Sequence, residues 1–218
     1  MSKTPAQRAK KHGAAAAPAP GSSAAARPAV PGGTRSPQRA AGNANLIVIA
    51  GAAASAFLFG YSFLLVMPQF SQLTGGLAMP DTLIGGYSTE YVQQVRTAFG
   101  EDGAGQYNYW HKTADTLFPL LFGFTWLILL GQQIRRLGWR WLAWAVVVLY
   151  VAADLGENLA VDAVLATDPV GDASLASFLT VAKSVLFGLS LFAAVVAVFT
   201  RKPRPAGGSA AAPAGGAV

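Results

Sequence analysis

The chain contains no cysteine, which removes disulfides, thiolate catalysis, iron–sulfur ligation and thiolate zinc sites from consideration. Charge is scarce: 12% of the 218 residues are Asp, Glu, Lys or Arg, against roughly 25% in an ordinary soluble domain. No acid precedes Asp81, and the only histidines are His12 and His111. The motifs G-x-S-x-G, E-x-x-H and H-E-x-x-H do not occur, so the sequence shows neither a nucleophile elbow nor a zincin helix. What is plentiful is apolar, at 53% of residues, and it is gathered into long runs.

Those runs cover residues 45–67, 114–131, 139–166 and 174–200. Each is close to or above the twenty or so residues that a bilayer requires. The sequence therefore predicts an all-α protein, a four-helix transmembrane bundle occupying residues 44–200, with a long outer loop at 68–113. Residues 1–43 and 201–218 are rich in Ala, Pro, Gly, Ser and basic residues, without helical or strand periodicity. They read as disordered tails. The basic, acid-free start also resembles an organellar transit peptide, but its prolines oppose the amphipathic helix such a peptide needs.

The net charge of +6 is a matter of topology. Thirteen of the 16 basic residues lie in the two tails and in the short loop carrying Arg135, Arg136 and Arg140. In a four-span protein all three segments fall on one side, which the positive-inside rule assigns to the cytoplasm. The expectation is a multi-pass plasma-membrane protein with both termini cytoplasmic, in contact with the lipid bilayer and not with nucleic acid. Trp139, Trp141 and Trp144 at one interface, and Tyr107, Tyr109 and Trp110 at the other, read as aromatic anchors.

The outer loop carries structure of its own. Ser88 is a good N-cap, Glu90 suits a first turn, and Tyr91, Val92, Val95 and Phe99 share a face. A short amphipathic helix is expected over 89–99, ended by Gly100, with Asp102 capping the helix that leads into the second span. Such a helix serves either as a lid or as a packed connector.

The third run is interrupted by "ADLGENLAVD", which puts Asp154, Glu157, Asn158 and Asp162 where hydrocarbon is expected. Charged groups inside a membrane are costly and are usually paired or functional. At about 100° per residue these four share a face about 140° wide, directed into the bundle. At about 1.5 Å per residue, Glu157 in the third span and Lys183 in the fourth lie at a similar depth, roughly 13 Å from the outer ends of their helices. An ion pair between them is expected, with Asn158 as a hydrogen-bonding neighbour. His111 and Asp115 are spaced i, i+4 on one face of the second span, at the outer mouth. Pro119 frees the carbonyl of Asp115 and is expected to kink that helix. His111, Asp115, Asp154, Glu157 and Asp162 together offer an imidazole and four carboxylates; with no metal motif among them, no metal and no cofactor is assigned. Gly51 and Ser55, and Ser184 and Gly188, have the small-xxx-small spacing of close helix contacts.

The run from "MPDTLIGGYSTEYVQQVRTAFG" to "VAADLGENLAVDAVL" resembles a set of uncharacterised bacterial four-span membrane proteins, over residues 79–165. The features that carry the resemblance are a G-Y-S start to the outer loop (Gly86, Tyr87, Ser88), a G-x-x-G turn (Gly100, Gly103) and Tyr107. D-x-x-F-P in span two (Asp115, Phe118, Pro119) and D-x-x-E-N in span three (Asp154, Glu157, Asn158) complete it. The resemblance implies a shared topology and a shared polar site. His111, Asp162 and Lys183 stand outside that pattern.

Three functions fit this sequence. The first is a multi-pass membrane protein whose outward-facing polar pocket, made by Asp115, Asp154, Glu157, Asn158, Asp162, Lys183 and His111, binds or passes a small solute, a proton or a cation. The second is a structural or assembly subunit with a membrane protein partner, and the third an embedded enzyme acting on a lipid-like substrate.

Overall fold

The structure, a computed structural model, describes residues 37–200. Residues 1–36 and 201–218, read from composition as part of the two tails, lie outside the described residues. Among the described residues the chain is helical with no strand. Helix α1 (Pro37–Tyr61) passes through a π-helical turn, Ser62–Val66, into α2 (Met67–Leu73). A 3₁₀ turn at Pro80–Thr82 precedes α3 (Thr89–Trp110). A second π-helical turn, His111–Asp115, joins α3 to α4 (Thr116–Gln133). Helices α5 (Leu137–Leu165) and α6 (Ser174–Phe199) complete the bundle.

Four stretches among the described residues are long and apolar enough to cross a bilayer: Gly42–Leu73, Thr89–Gln133, Leu137–Leu165 and Ser174–Phe199. Their surfaces are those of a protein dissolved in lipid. Phe57, Leu64, Leu159, Phe192 and many other large apolar side chains face outward, whereas Asp154, Glu157 and Asn158 are buried. In water that arrangement would expose the hydrophobic surface; in hydrocarbon it hides the costly groups, and helical spans keep most backbone groups hydrogen-bonded internally. The chain is a multi-pass membrane protein.

The observed helices extend beyond the apolar runs. The first is already helical at Pro37, the first described residue, ahead of the expected residue 45, and it ends at Leu73 instead of residue 67. Most of the expected outer loop is helical as well, because α3 runs almost directly into the second span. Gly100 interrupts α3 with φ 63° and ψ −165°, a conformation open to glycine alone, so the amphipathic segment ends there and a second limb follows. Ser88 caps α3, accepting a hydrogen bond from the Tyr91 amide at 3.3 Å. Val92, Val95 and Phe99 are buried, forming the apolar face that the spacing predicts.

Each π-helical turn lies just ahead of a proline, Pro68 after Ser62–Val66 and Pro119 after His111–Asp115. A proline has no N–H for the carbonyl four residues back and its ring crowds that carbonyl, so the helix widens by a residue. The break expected at Pro119 therefore takes the form of a π turn upstream of it. Such turns recur at functional sites.

Helix α5 packs against both α4 and α6. Helix α1 lies outside that trio and touches it where Phe59 meets Phe118 and Phe187 and where Gly51 meets the Thr125 side chain, while Tyr61 packs on Trp110 of α3. One buried cluster sits at the α3 end of the bundle, around Met79, Val95, Tyr107 and Val161. A second sits at the other end, around Leu130, Ala143, Val147 and Ala194. Trp139, Trp141 and Tyr109 are exposed, as anchors require, but Tyr107 and Trp110 are buried. The Tyr107 ring packs on Phe70, Phe99 and His111, and its hydroxyl is taken by a carboxylate inside the protein.

Candidate functional site

Helix α5 presents Asp154 and Glu157 one turn apart, and α6 presents Lys183 opposite them. The Lys183 ammonium lies 2.6 Å from Glu157 Oε2 and 3.0 Å from Asp154 Oδ1. The second oxygen of each carboxylate is also occupied. Thr180 donates to Glu157 Oε1 at 2.6 Å, and Tyr150 donates to Asp154 Oδ2 at 3.1 Å. Thr180 lies one turn before Lys183 and Tyr150 one turn before Asp154, so each helix supplies both a charge and the hydroxyl that satisfies the charge facing it or beside it. One ammonium between two carboxylates leaves one negative charge over.

Asn158 behaves differently from expectation. It is buried on the same face, yet neither its amide nitrogen nor its carbonyl oxygen has a hydrogen-bond partner. Lys183 already holds the two carboxylates, and the Asn158 side chain reaches neither.

The outer loop adds groups that sequence periodicity did not single out. Asp81, on the 3₁₀ turn, accepts a hydrogen bond from the buried Tyr107 hydroxyl at 2.6 Å. Tyr87 reaches inward until its hydroxyl lies 3.3 Å from Thr180 Oγ1, and burial raises the pKa of its phenol above the ordinary value. Its amide donates to Ser177 Oγ at 2.8 Å. Gly86 makes this approach possible: its φ is +87°, and a Cβ there would stand 2.8 Å from Ser177 Oγ. Further along, Gln93 binds Asp168 and the Val170 amide, while Thr89 accepts from the Ala173 amide. These bonds fasten the first limb of α3 across the α5–α6 connection.

The π turn places His111 and Asp115 on the inner side. His111 is 1% exposed, and its Nδ1 stands 2.6 Å from Asp162 Oδ1. His111 Nε2 and Asp115 Oδ2 are buried without hydrogen-bond partners. Asp81, His111 and Asp115 each offer a ligand atom within 4.8 Å of the others.

A cavity of about 250 Å³ opens between α1 and the α4–α5–α6 trio. Asp81, Asp115, Lys183 and Tyr150 contribute its polar wall, and Phe59, Phe63, Phe118 and Phe187 its apolar wall. Of the residues singled out from sequence, Asp115 and Lys183 line the cavity, Asp154 and Glu157 stand behind Lys183, and His111 and Asp162 form a separate pair beside it. Asp81, Tyr87, Tyr107, Tyr150 and Thr180 were missed. The helical offsets of Tyr150 from Asp154 and of Thr180 from Lys183 carried a signal for those two, whereas Asp81 lies outside every apolar run and carried none. Comparison with known proteins finds no matching family model, no matching curated protein and no matching solved structure.

Proposed function

We propose that the cavity is a binding site for a small cation or protonated amine, entered from the outer side of the membrane. The observation that carries this reading is the charge balance of its walls. Asp81 and Asp115 line the cavity, and the lone cation on its surface, Lys183, is already held by Asp154 and Glu157. The surplus is acidic. Phe59, Phe118 and Phe187 line the cavity as well, and an aromatic ring attracts an ammonium group that reaches its face. At about 250 Å³ the cavity is smaller than the roughly 300–1,000 Å³ typical of drug-sized ligands, which favours a small occupant. Below it Leu130, Ala143, Val147 and Ala194 form a buried apolar cluster; on this reading the site is a blind pocket, so passage requires a second conformation.

Orientation follows the basic residues: Arg135, Arg136 and Arg140 face the cytoplasm with both termini, and the cavity faces outward from the plasma membrane. The shared polar site implied by the resemblance to bacterial four-span proteins is, on this reading, the Asp115, Asp154 and Glu157 set.

Titration calorimetry of the full chain in nanodiscs with methylammonium and tetramethylammonium tests the proposal. One saturable site is expected, weakened at least tenfold by Asp115→Asn and several-fold by Phe118→Leu. Heats that do not saturate, or equal affinity in both variants, reject it. In proteoliposomes, pH-dependent or cation-dependent flux abolished by Glu157→Gln assigns transport; binding without flux assigns a receptor or subunit role.

A further inference from the structure

The structure assigns a divalent transition-metal site to Asp81, His111 and Asp115, with Asp162 and Tyr107 positioning the ligands. It deepens the cation reading and depends on it only in sharing Asp81 and Asp115 with the cavity.

The argument begins with His111. Its Nδ1 lies 2.6 Å from a carboxylate oxygen of Asp162, on another helix. A carboxylate accepts, so Nδ1 carries the proton and the lone pair of the neutral ring is left on Nε2. Nε2 is buried and has no partner. An imidazole whose one nitrogen is anchored by a carboxylate while the other is presented bare is how metal-ligating histidines are held. Orphaned buried nitrogens are otherwise costly.

The second observation concerns Asp115. Its Oδ2 is likewise buried without a partner. The π-helical turn that spans His111–Asp115 holds both residues on the inner side of the helix junction. Asp81 closes the set from the 3₁₀ turn, and the Tyr107 hydroxyl orients it at 2.6 Å as Asp162 orients His111. Two of the three ligands thus have their own supporting hydrogen bond from outside the set.

Ligand chemistry selects the metal. One imidazole and two carboxylates, without sulfur, suit Zn²⁺, Mn²⁺, Fe²⁺ or Co²⁺. Metal bonds of about 2.0–2.2 Å put tetrahedral ligands about 3.5 Å apart, so a set spread over at most 4.8 Å closes by about an ångström on loading. Asp81, on the turn Pro80–Thr82 outside the long helices, is the ligand that makes that move. Three protein ligands leave a coordination position for water or for the cavity's occupant, since Asp81 and Asp115 both line the cavity.

The test uses the full chain without a histidine tag and with His12→Gln, so that His111 is its only imidazole. After equilibration with Zn²⁺ or Mn²⁺ and dialysis, elemental analysis is expected to find one metal per chain. Pulsed EPR of the Cu²⁺-loaded protein is expected to show the remote-nitrogen modulation of one imidazole. His111→Ala and Asp115→Asn should each weaken Zn²⁺ at least tenfold. Asp162→Asn keeps all three ligands and should still weaken Zn²⁺ about 10- to 100-fold, which keeps the proposal falsifiable if the ligand variants fail to fold. Substoichiometric metal, no imidazole modulation, or unchanged affinity in Asp162→Asn overturns it. Ammonium binding that survives loss of the metal separates failure here from failure of the cation pocket.

Discussion

The two ends of the bundle are built on different principles. At the α3 end, carboxylates, an ammonium, hydroxyls and an imidazole interlock across α3, α5, α6 and the outer loop. At the other end, Leu130, Ala143, Val147, Ala194 and Ala197 pack together without ion pairs, and the helices are linked by two indole N–H groups, Trp126 donating to the Ser190 carbonyl at 3.2 Å and Trp144 to the Leu127 carbonyl at 3.0 Å. The buried hydroxyls of Thr125 and Ser190 there bond only to carbonyls one turn back in their own helices. In lipid, apolar helices gain little from burying apolar surface, and association rests on dispersion, small residues and polar contacts. The polar end therefore fixes register and carries the proposed cation pocket.

That contrast can be broken by substitution, with stability read as unfolding midpoint in detergent. The largest loss is expected for Lys183→Met, which leaves Asp154 and Glu157 buried without their counter-ion and should cost about 3–5 kcal/mol. Tyr107→Phe comes next. It removes the donor to Asp81 and should cost about 1.5–3 kcal/mol, the scale of a hydrogen bond to a charged group. At the apolar end, Val147→Ala should cost about 1 kcal/mol through lost contacts and a partly relaxed void. Ser190→Ala should change stability by less than about 0.5 kcal/mol, because its hydroxyl makes only a local bond to Leu186. If Val147→Ala proves costlier than Lys183→Met, the two ends have been assigned the wrong roles.

Much of the fold was legible because lipid imposes a simple length rule. The four apolar runs and the 3.6-residue spacing of Asp154, Glu157 and Asn158 needed no tertiary information. The depth argument that set Glu157 opposite Lys183 matches the 2.6 Å contact because both helices are regular there. Where regularity fails, so did the reading. The π turns displaced helix boundaries, and Asp81 enters the cavity from a turn whose path no periodicity encodes. Tyr107 and Trp110 were assigned to the interface because aromatic residues at a span end usually face lipid; here α3 continues inward and its second limb buries them. Asn158 shows the converse error, a residue on the right face whose side chain finds no partner.

The central claim is that Lys183 is committed to the two carboxylates, which leaves the cavity acidic. A double-mutant cycle on Lys183→Met and Glu157→Gln, followed by unfolding in detergent, tests this most directly. The expected result is a coupling of at least about 1 kcal/mol, with the double variant more stable than the sum of the single losses implies. Additive losses would contradict the account, since Lys183 would then be free to hold an anion in the cavity.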